Sequence, residues 1–453
     1  GSGNITLSVA TNAGAAGTFV EAFGVGSSVT INNNTLTFTP TSNLTALDTY
    51  HVGIPAGAVT NTSGDVSLVA TNWTFQARAY NYQMWVWGAN FYGILGQNSA
   101  HPAGNVSSPI QIPSTSWSKI HLGYPNGSGE TLASKDDGTL WAWGNNPQGQ
   151  LGQNNVVQYS SPVQVGSDTT WDTAKINNSG NSYVLATKTD GTLWAWGKNS
   201  SGALGQNQAE AQLGGTSSPV QIGSGTDWAT GRFKISNVHP SGGAAIKTDG
   251  TLYMWGYNSV GSLGQNQANA QLPRVSSPVQ VPGTTWRSIG GGSVVLATKT
   301  DGTLWAWSGS WSGSLGLNEG GPGTYRSSPT QIPGTTWANV GGGTNSTVAT
   351  KTDGTMWVWG VNDKGNLGQN NRTKYSSPTQ IPGTNWDTEN FTVGENNGFA
   401  LKTDGTLWSW GYGYYGEIGI NQAGDASSRS SPVQIPGTDW GWVTSNSKAL
   451  KAL

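Results

Sequence analysis

A Trp-x-Trp-Gly signature or a near copy begins at Trp85, Trp141, Trp194, Tyr253, Trp305, Trp357 and Trp408, at intervals of 51 to 59 residues. A period of that size marks a stacked repeat, because one supersecondary unit cannot bury its apolar face alone. One unit runs from Ser160 to Gly205. Ser160-Ser161-Pro162-Val163-Gln164-Val165 reads as a short strand, Trp171 follows, and Tyr183–Lys188 reads as a second strand. Thr189-Asp190-Gly191 then turns the chain into Thr192-Leu193-Trp194-Ala195-Trp196-Gly197. An Asp-Gly pair between alternating runs is a hairpin signal, since glycine adopts positive φ without a Cβ clash. Strand side chains alternate, so Trp194 and Trp196 fall on one face with Ala195 between them.

The other units repeat this order. Asp-Gly turns stand at Asp137, Asp190, Asp249, Asp301, Asp353 and Asp404, and a second tryptophan series at Trp117, Trp171, Trp228, Trp286, Trp337, Trp386 and Trp440. Of 23 tryptophans only Trp73, Trp311 and Trp442 fall outside the two series. The periodic indoles are therefore assigned to packing between units, where each ring can bury roughly 150–250 Å². The first copy, Tyr82–Trp87, lacks the strand and turn that precede every other copy, whereas Ser447–Lys451 matches that missing strand. Pairing the two halves would close a ring and remove exposed sheet edges. The expected fold is all-β: a seven-bladed β-propeller over residues 80–453, closed by N- and C-terminal strand pairing.

The run Thr-Asp-Gly-Thr-Leu-Trp-Ala-Trp-Gly followed by Asn-x-x-Gly-x-Leu-Gly, seen at Thr189–Gly205, resembles the regulator of chromosome condensation repeat family. One copy departs from it, with Ser308 in place of glycine and Ser310 in place of asparagine. Residues 1–79 carry no Trp-x-Trp-Gly. Alternation at Thr35–Thr39 and Thr49–Ile54 indicates a small β-sandwich. Tyr50–Val59 with Gly64 and Trp73-Thr74-Phe75 resembles the bacterial Ig-like domain of S-layer and other surface proteins. That resemblance implies one or two strands before Gly1–Leu7; their lack here is read as truncation, processing or completion by a neighbouring subunit.

Chemistry is harder to find. Only 10% of the residues are charged and the net charge is −2, which disfavours electrostatic capture of nucleic acid. No apolar run is long enough to span a bilayer, so no membrane insertion is expected. Cysteine is absent, which removes disulfides, thiolate metal sites and cysteine nucleophiles. His51, His101, His121 and His239 lack metal-ligand spacing. Gly411–Gly416 satisfies G-x-G-x-x-G, but Glu417-Ile418-Gly419 continues the repeat instead of opening a phosphate-binding helix. Apart from the Asp136-Asp137 pair, each repeated aspartate stands alone in a turn, unlike a calcium site with its six to eight oxygens. Asn43, Asn61 and Asn390 head glycosylation sequons that this composition produces by chance. No catalytic, cofactor-binding or metal-binding residue is assigned, and no cofactor is expected.

Recognition would fall on what does not repeat, because variable loops on a rigid frame carry specificity. Between Leu-Gly-Gln-Asn (or its equivalent) and Ser-Ser-Pro the loops run 8, 5, 9, 9, 8, 5 and 8 residues. Phe91, Tyr92, Tyr257, Trp311, Tyr325, Tyr412, Tyr414 and Tyr415 are the candidate partner-binding residues, set against packing between blades. With the surface-type Ig-like resemblance, the expectation is a non-enzymatic extracellular, cell-surface or virion protein, such as a phage tail or fibre component. Its partner would be a host-surface glycan or protein, or neighbouring subunits of an assembly. The propeller resemblance also implies an alternative, since that family includes secreted β-lactamase inhibitors and a nucleotide-exchange factor: a soluble inhibitor or regulator binding through one face.

Overall fold

A computed structural model describes residues 83–452 apart from 100–104, 114–115, 123–128, 180–181, 209, 232–234, 239–241, 268–269, 311, 320–323, 344, 394–395, 425–426, 439 and 446–448. Before residue 83 it describes six strands: Asn4–Ala10, Ala16–Gly24, Val29–Asn32, Thr35–Phe38, Thr49–Ile54 and Thr71–Gln76. The chain divides into two compact units, Gly1–Asn81 and Tyr82–Leu453. In the first, Asn4–Ala10 lies between Ala16–Gly24 and Thr49–Ile54, Thr71–Gln76 pairs outside the latter, and Val29–Asn32 pairs with Thr35–Phe38 in a separate hairpin.

The second unit is an all-β propeller. Six of its sheets each consist of four consecutive antiparallel strands. One is Trp117–Leu122, Glu130–Lys135, Leu140–Gly144 and Tyr159–Gln164; the next is Trp171–Ser179, Tyr183–Lys188, Leu193–Lys198 and Gly215–Gln221. A further four-stranded sheet is composite, with order Trp442–Ser445, Ala449–Ala452, Met84–Gly88 and Val106–Gln111. Its junction is antiparallel, with Leu450 opposite Val86, Lys451 opposite Trp85 and Ala452 opposite Met84. The expected pairing of the two array ends is thus present, over Ala449–Ala452 where the sequence indicated Ser447–Lys451. The first strand of every sheet touches the first strand of the next, and Trp442–Ser445 touches both Trp386–Val393 and Trp117–Leu122. First strands therefore surround the axis and fourth strands form the rim.

The core lies between blades. Leu132, Leu140, Ala142, Leu151 and Val165 of one sheet pack against Trp171, Ile176, Val184, Ala186 and Trp196 of the next. Within a blade the second-series indole meets the paired motif: Trp171 lies 6.2 Å from Trp194, edge-on, and 5.7 Å from Trp196, tilted. Lys188 Nζ sits 4.1 Å from the Trp194 centroid and 4.9 Å from that of Trp171, where ring quadrupoles attract the ammonium. Lys135, Lys247, Lys299, Lys351 and Lys402 repeat the arrangement.

Two hydrogen bonds recur at every junction. The inner indole of each pair donates to the preceding blade's loop: Trp143 to Ile94 O, Trp196 to Gln150 O, Trp255 to Ala203 O, Trp307 to Ser262 O, Trp359 to Ser314 O and Trp410 to Asn366 O, at 2.8–3.0 Å. Trp87 completes the circuit by donating to Glu417 O at 3.0 Å. Likewise, the amide of the asparagine closing each loop reaches the next outer strand, from Asn98 N to Ser160 O through Asn421 N to Ser107 O.

Candidate functional site

The strand carrying Trp-x-Trp ends on a glycine with φ near +100°, such as Gly144 at 101°, where a Cβ would meet the carbonyl of Gly129. The chain then enters the loop Asn-x-x-Gly-x-Leu-Gly. Its asparagine ties the loop to itself: Asn146 Oδ1 accepts from Leu151 N at 2.9 Å and its Nδ2 donates to Asn155 O and Val157 O, both at 3.0 Å. The two residues after that asparagine are left at the loop tip. They are Phe91-Tyr92, Pro147-Gln148, Ser200-Ser201, Ser259-Val260 and Asp363-Lys364, with Tyr414-Tyr415 following Gly413 in place of the asparagine; in sequence the remaining copy has Trp311-Ser312 after Ser310. The frame repeats and the tips do not.

Aromatic tips meet where the composite sheet adjoins the sheet of Trp386–Val393, Asn397–Lys402, Leu407–Gly411 and Arg429–Gln434. Phe91 lies edge-on to Tyr415 at 6.1 Å, Tyr414 edge-on to Tyr415 at 5.0 Å, and Tyr412 parallel to Tyr414 at 6.1 Å. Lys364, from the neighbouring blade, places Nζ 5.3 Å from the Tyr412 centroid. Tyr92 is 45% exposed and Tyr414 40%. The tips are held firmly: the buried Glu417 carboxylate accepts from Tyr415 N at 2.8 Å, and Gly424 N donates to Tyr414 O at 2.8 Å. On the other side, Gln158 Nε2 donates to Tyr92 O at 3.2 Å, which brings up the loop carrying Val156 and Val157, 62% and 54% exposed. The result is a band of phenol rings and aliphatic side chains across adjacent blades, with a lysine at one end.

Not every sequence candidate joins it. Phe91, Tyr92, Tyr412, Tyr414 and Tyr415 come together. Tyr257 is half-buried at the end of Leu252–Tyr257, opposite Arg274, in another blade. Tyr325, 49% exposed, sits in the outer strand Thr324–Ile332, opposite Gly309. The ring carries these two candidates to blades other than those of the aromatic cluster. Trp311 lies outside the described residues. Lys364 and the Val156-Val157 pair were missed, although two adjacent valines inside a polar loop were a readable signal.

The remaining motifs resolve structurally. Asp190 Oδ1 accepts from Thr192 N and Thr192 Oγ1 at 2.9 and 2.7 Å, and the other five turn aspartates do the same with their own threonines. These threonine hydrogen bonds, the side-chain one largest, hold Asp190, Asp249, Asp301, Asp353 and Asp404 below the ordinary carboxylate value. Tyr412–Gly416 forms a turn with no helix behind it. His121 is buried, its Nδ1 accepting from Ile176 N at 3.3 Å; His101 and His239 lie outside the described residues. Among the described residues no group of three or more His, Asp or Glu is placed to hold a metal ion.

Comparison with known proteins gives the same architecture. The RCC1-like domain model matches residues 83–449 and the bacterial Ig-like domain model residues 2–77. The ultraviolet-B receptor UVR8 of Arabidopsis thaliana is 25% identical over 347 residues, covering 75% of each chain. The E3 ubiquitin-protein ligase HERC2 of Mus musculus is 26% identical over 200 residues, 44% of this chain but only 4% of that protein. Yeast RCC1 (Prp20), solved bound to Kap60, superposes with a TM-score of 0.69 at 16% identity, over 82% of this chain and 88% of that one. Human WBSCR16 superposes with a TM-score of 0.68 at 20% identity, over 82% of this chain and 99% of that one. On its repeats, its sheets and this match, the chain belongs to the RCC1-like domain family.

Proposed function

We propose that this chain is a non-enzymatic binding protein: a closed seven-bladed ring, counting the composite sheet as one blade, that recognises a partner through its loop tips. One observation carries the reading. Aromatic residues occupy equivalent, non-repeating tip positions in adjacent blades, and packing cannot require them there because Ser200-Ser201 and Pro147-Gln148 fill the same positions elsewhere. Exposed tyrosines combine apolar area with a polar handle and lose little side-chain entropy, which suits a recognition surface. A protein partner is supported by yeast RCC1 having been captured with Kap60. The Ig-like module and the low charge support display at an extracellular, cell or virion surface, with a host protein or glycan as target. A secreted inhibitor or regulator using the same face is the second reading.

The test measures binding of the labelled chain to intact bacterial cells, glycan arrays and soluble protein candidates. Replacing Tyr92 and Tyr414 together with alanine should weaken binding by roughly 30-fold, the size of an interface hot spot of about 2 kcal/mol. The melting temperature should stay unchanged. Loss of stability in place of binding would assign both rings to packing and sink the proposal.

A further inference from the structure

Two rim clefts between neighbouring blades have no counterpart in the reading above. One, of about 420 Å³, is lined by Gln153, Asn154, Gln164, Trp194 and Pro219; the next, of about 570 Å³, by Gln206, Asn207, Gln221, Tyr253 and Pro278. The lining matches position for position. We infer that these clefts are binding sites for neutral saccharides, independent of the aromatic tips.

Charge argues for a neutral ligand. The ammonium near each cleft is already matched, Lys188 by Asp168 and Lys247 by Asp227, both at 2.9 Å. What remains is amide chemistry. Gln153 Nε2 donates to Gln164 O and Gln206 Nε2 to Gln221 O, both at 2.9 Å, while neither amide oxygen receives a hydrogen bond among the described residues. The side-chain amides of Gln164 and Gln221 have no partner among the described residues either. An amide offers two donors and an acceptor, which fits adjacent hydroxyl groups. The half-buried Trp194 or Tyr253 ring, with a proline, supplies an apolar wall for the C–H face of a pyranose.

The frame does not demand the first glutamine. Leu317 and Ile420 take its place in two other blades, yet Asn318 N still reaches Ser376 O at 2.8 Å and Asn421 N reaches Ser107 O at 3.1 Å. Gln97, Gln265 and Gln369 stand at the same position in three further blades, so weak single sites would add by multivalency on a glycan-coated surface.

The full-length chain is titrated with the methyl glycosides of glucose, galactose and N-acetylglucosamine, following indole and side-chain amide resonances by NMR. At least one sugar should shift the Trp194 indole N–H and the Gln164 and Gln221 amides saturably, at millimolar concentration typical of about −4 kcal/mol. Gln164→Ala, which removes no structural hydrogen bond, should weaken the response at Trp194 about tenfold, equivalent to one hydrogen bond of roughly 1.4 kcal/mol. It should leave Gln221 unaffected. Tyr414→Ala should change neither site, which separates this inference from the loop-tip reading. No saturable shift with any of the three sugars, or a Trp194 response indifferent to Gln164→Ala, overturns it.

Discussion

Ser308 shows what the repeat asks of a single residue. It stands where the other described blades have glycine, at φ 87°, against 96–102° for Gly88, Gly144, Gly197, Gly256, Gly360 and Gly411. A Cβ at Gly144, Gly197, Gly360 or Gly411 would collide with the carbonyl just before the neighbouring strand. In this blade the corresponding carbonyl, Ser293 O, instead accepts from Ser308 Oγ at 3.3 Å. A non-glycine residue held at such φ costs of order 1–3 kcal/mol, more than the ~0.5–1.5 kcal/mol net value of one hydrogen bond. Ser308→Gly should therefore stabilise the protein by only about 0.5 kcal/mol or less once the entropy cost of a new glycine, roughly 0.5–1 kcal/mol, is subtracted. Chemical denaturation checks it, and a lower midpoint would show that the hydrogen bond outweighs the strain.

At the scale of elements, the Trp-x-Trp strand is both a hairpin arm and a staple. Sequence alternation placed both rings on one face, and the inner ring of each pair is fully buried, as Trp143, Trp196 and Trp255 show. What alternation could not supply is the acceptor, a loop carbonyl in the preceding blade. Trp87→Phe would remove the buried hydrogen bond to Glu417 O, costing roughly 1–3 kcal/mol. Trp255→Phe should cost about the same overall, through Ala203 O. The two should differ locally: only Trp87 stands in the composite sheet, so only its loss should speed hydrogen exchange across Ala449–Ala452, about tenfold per 1.4 kcal/mol. Equal exchange in the two variants would mean that the composite sheet does not open separately.

For the whole molecule, six turn aspartates respond to pH together. Threonine hydrogen bonds lower five of them outright; for Asp137 burial raises the pKa, but the Thr139 bonds outweigh it and the net shift is downward. A carboxylate whose pKa is lower folded than unfolded adds stability above the unfolded value, near 3.8, and loses it as pH falls through the folded value. Asp136, raised by burial, acts oppositely but is one group against six. Melting temperature should hold steady from neutral pH to about pH 5 and drop below about pH 4, where the carboxylates protonate. Replacing Asp301, Asp353 and Asp404 with asparagine should flatten that drop; an unchanged acid limb would locate the titration elsewhere.

The frame was legible in the sequence because its instructions are local and repeated. Asp-Gly turns, alternating indoles and the glycine after each pair act within a few residues of themselves, and a period of 51 to 59 residues leaves little choice but blade upon blade. The site was legible only as a set of exceptions. Phe91 and Tyr415 stand at opposite ends of the repeat array, and nothing near either one specifies the other. They touch because Ala449–Ala452 pairs with Met84–Gly88 and Trp87 reaches Glu417, whereas Tyr257 and Tyr325, equally exceptional in sequence, are carried to other blades. Local physics determined the ring; closure of the ring decided which of its unrepeated residues became neighbours.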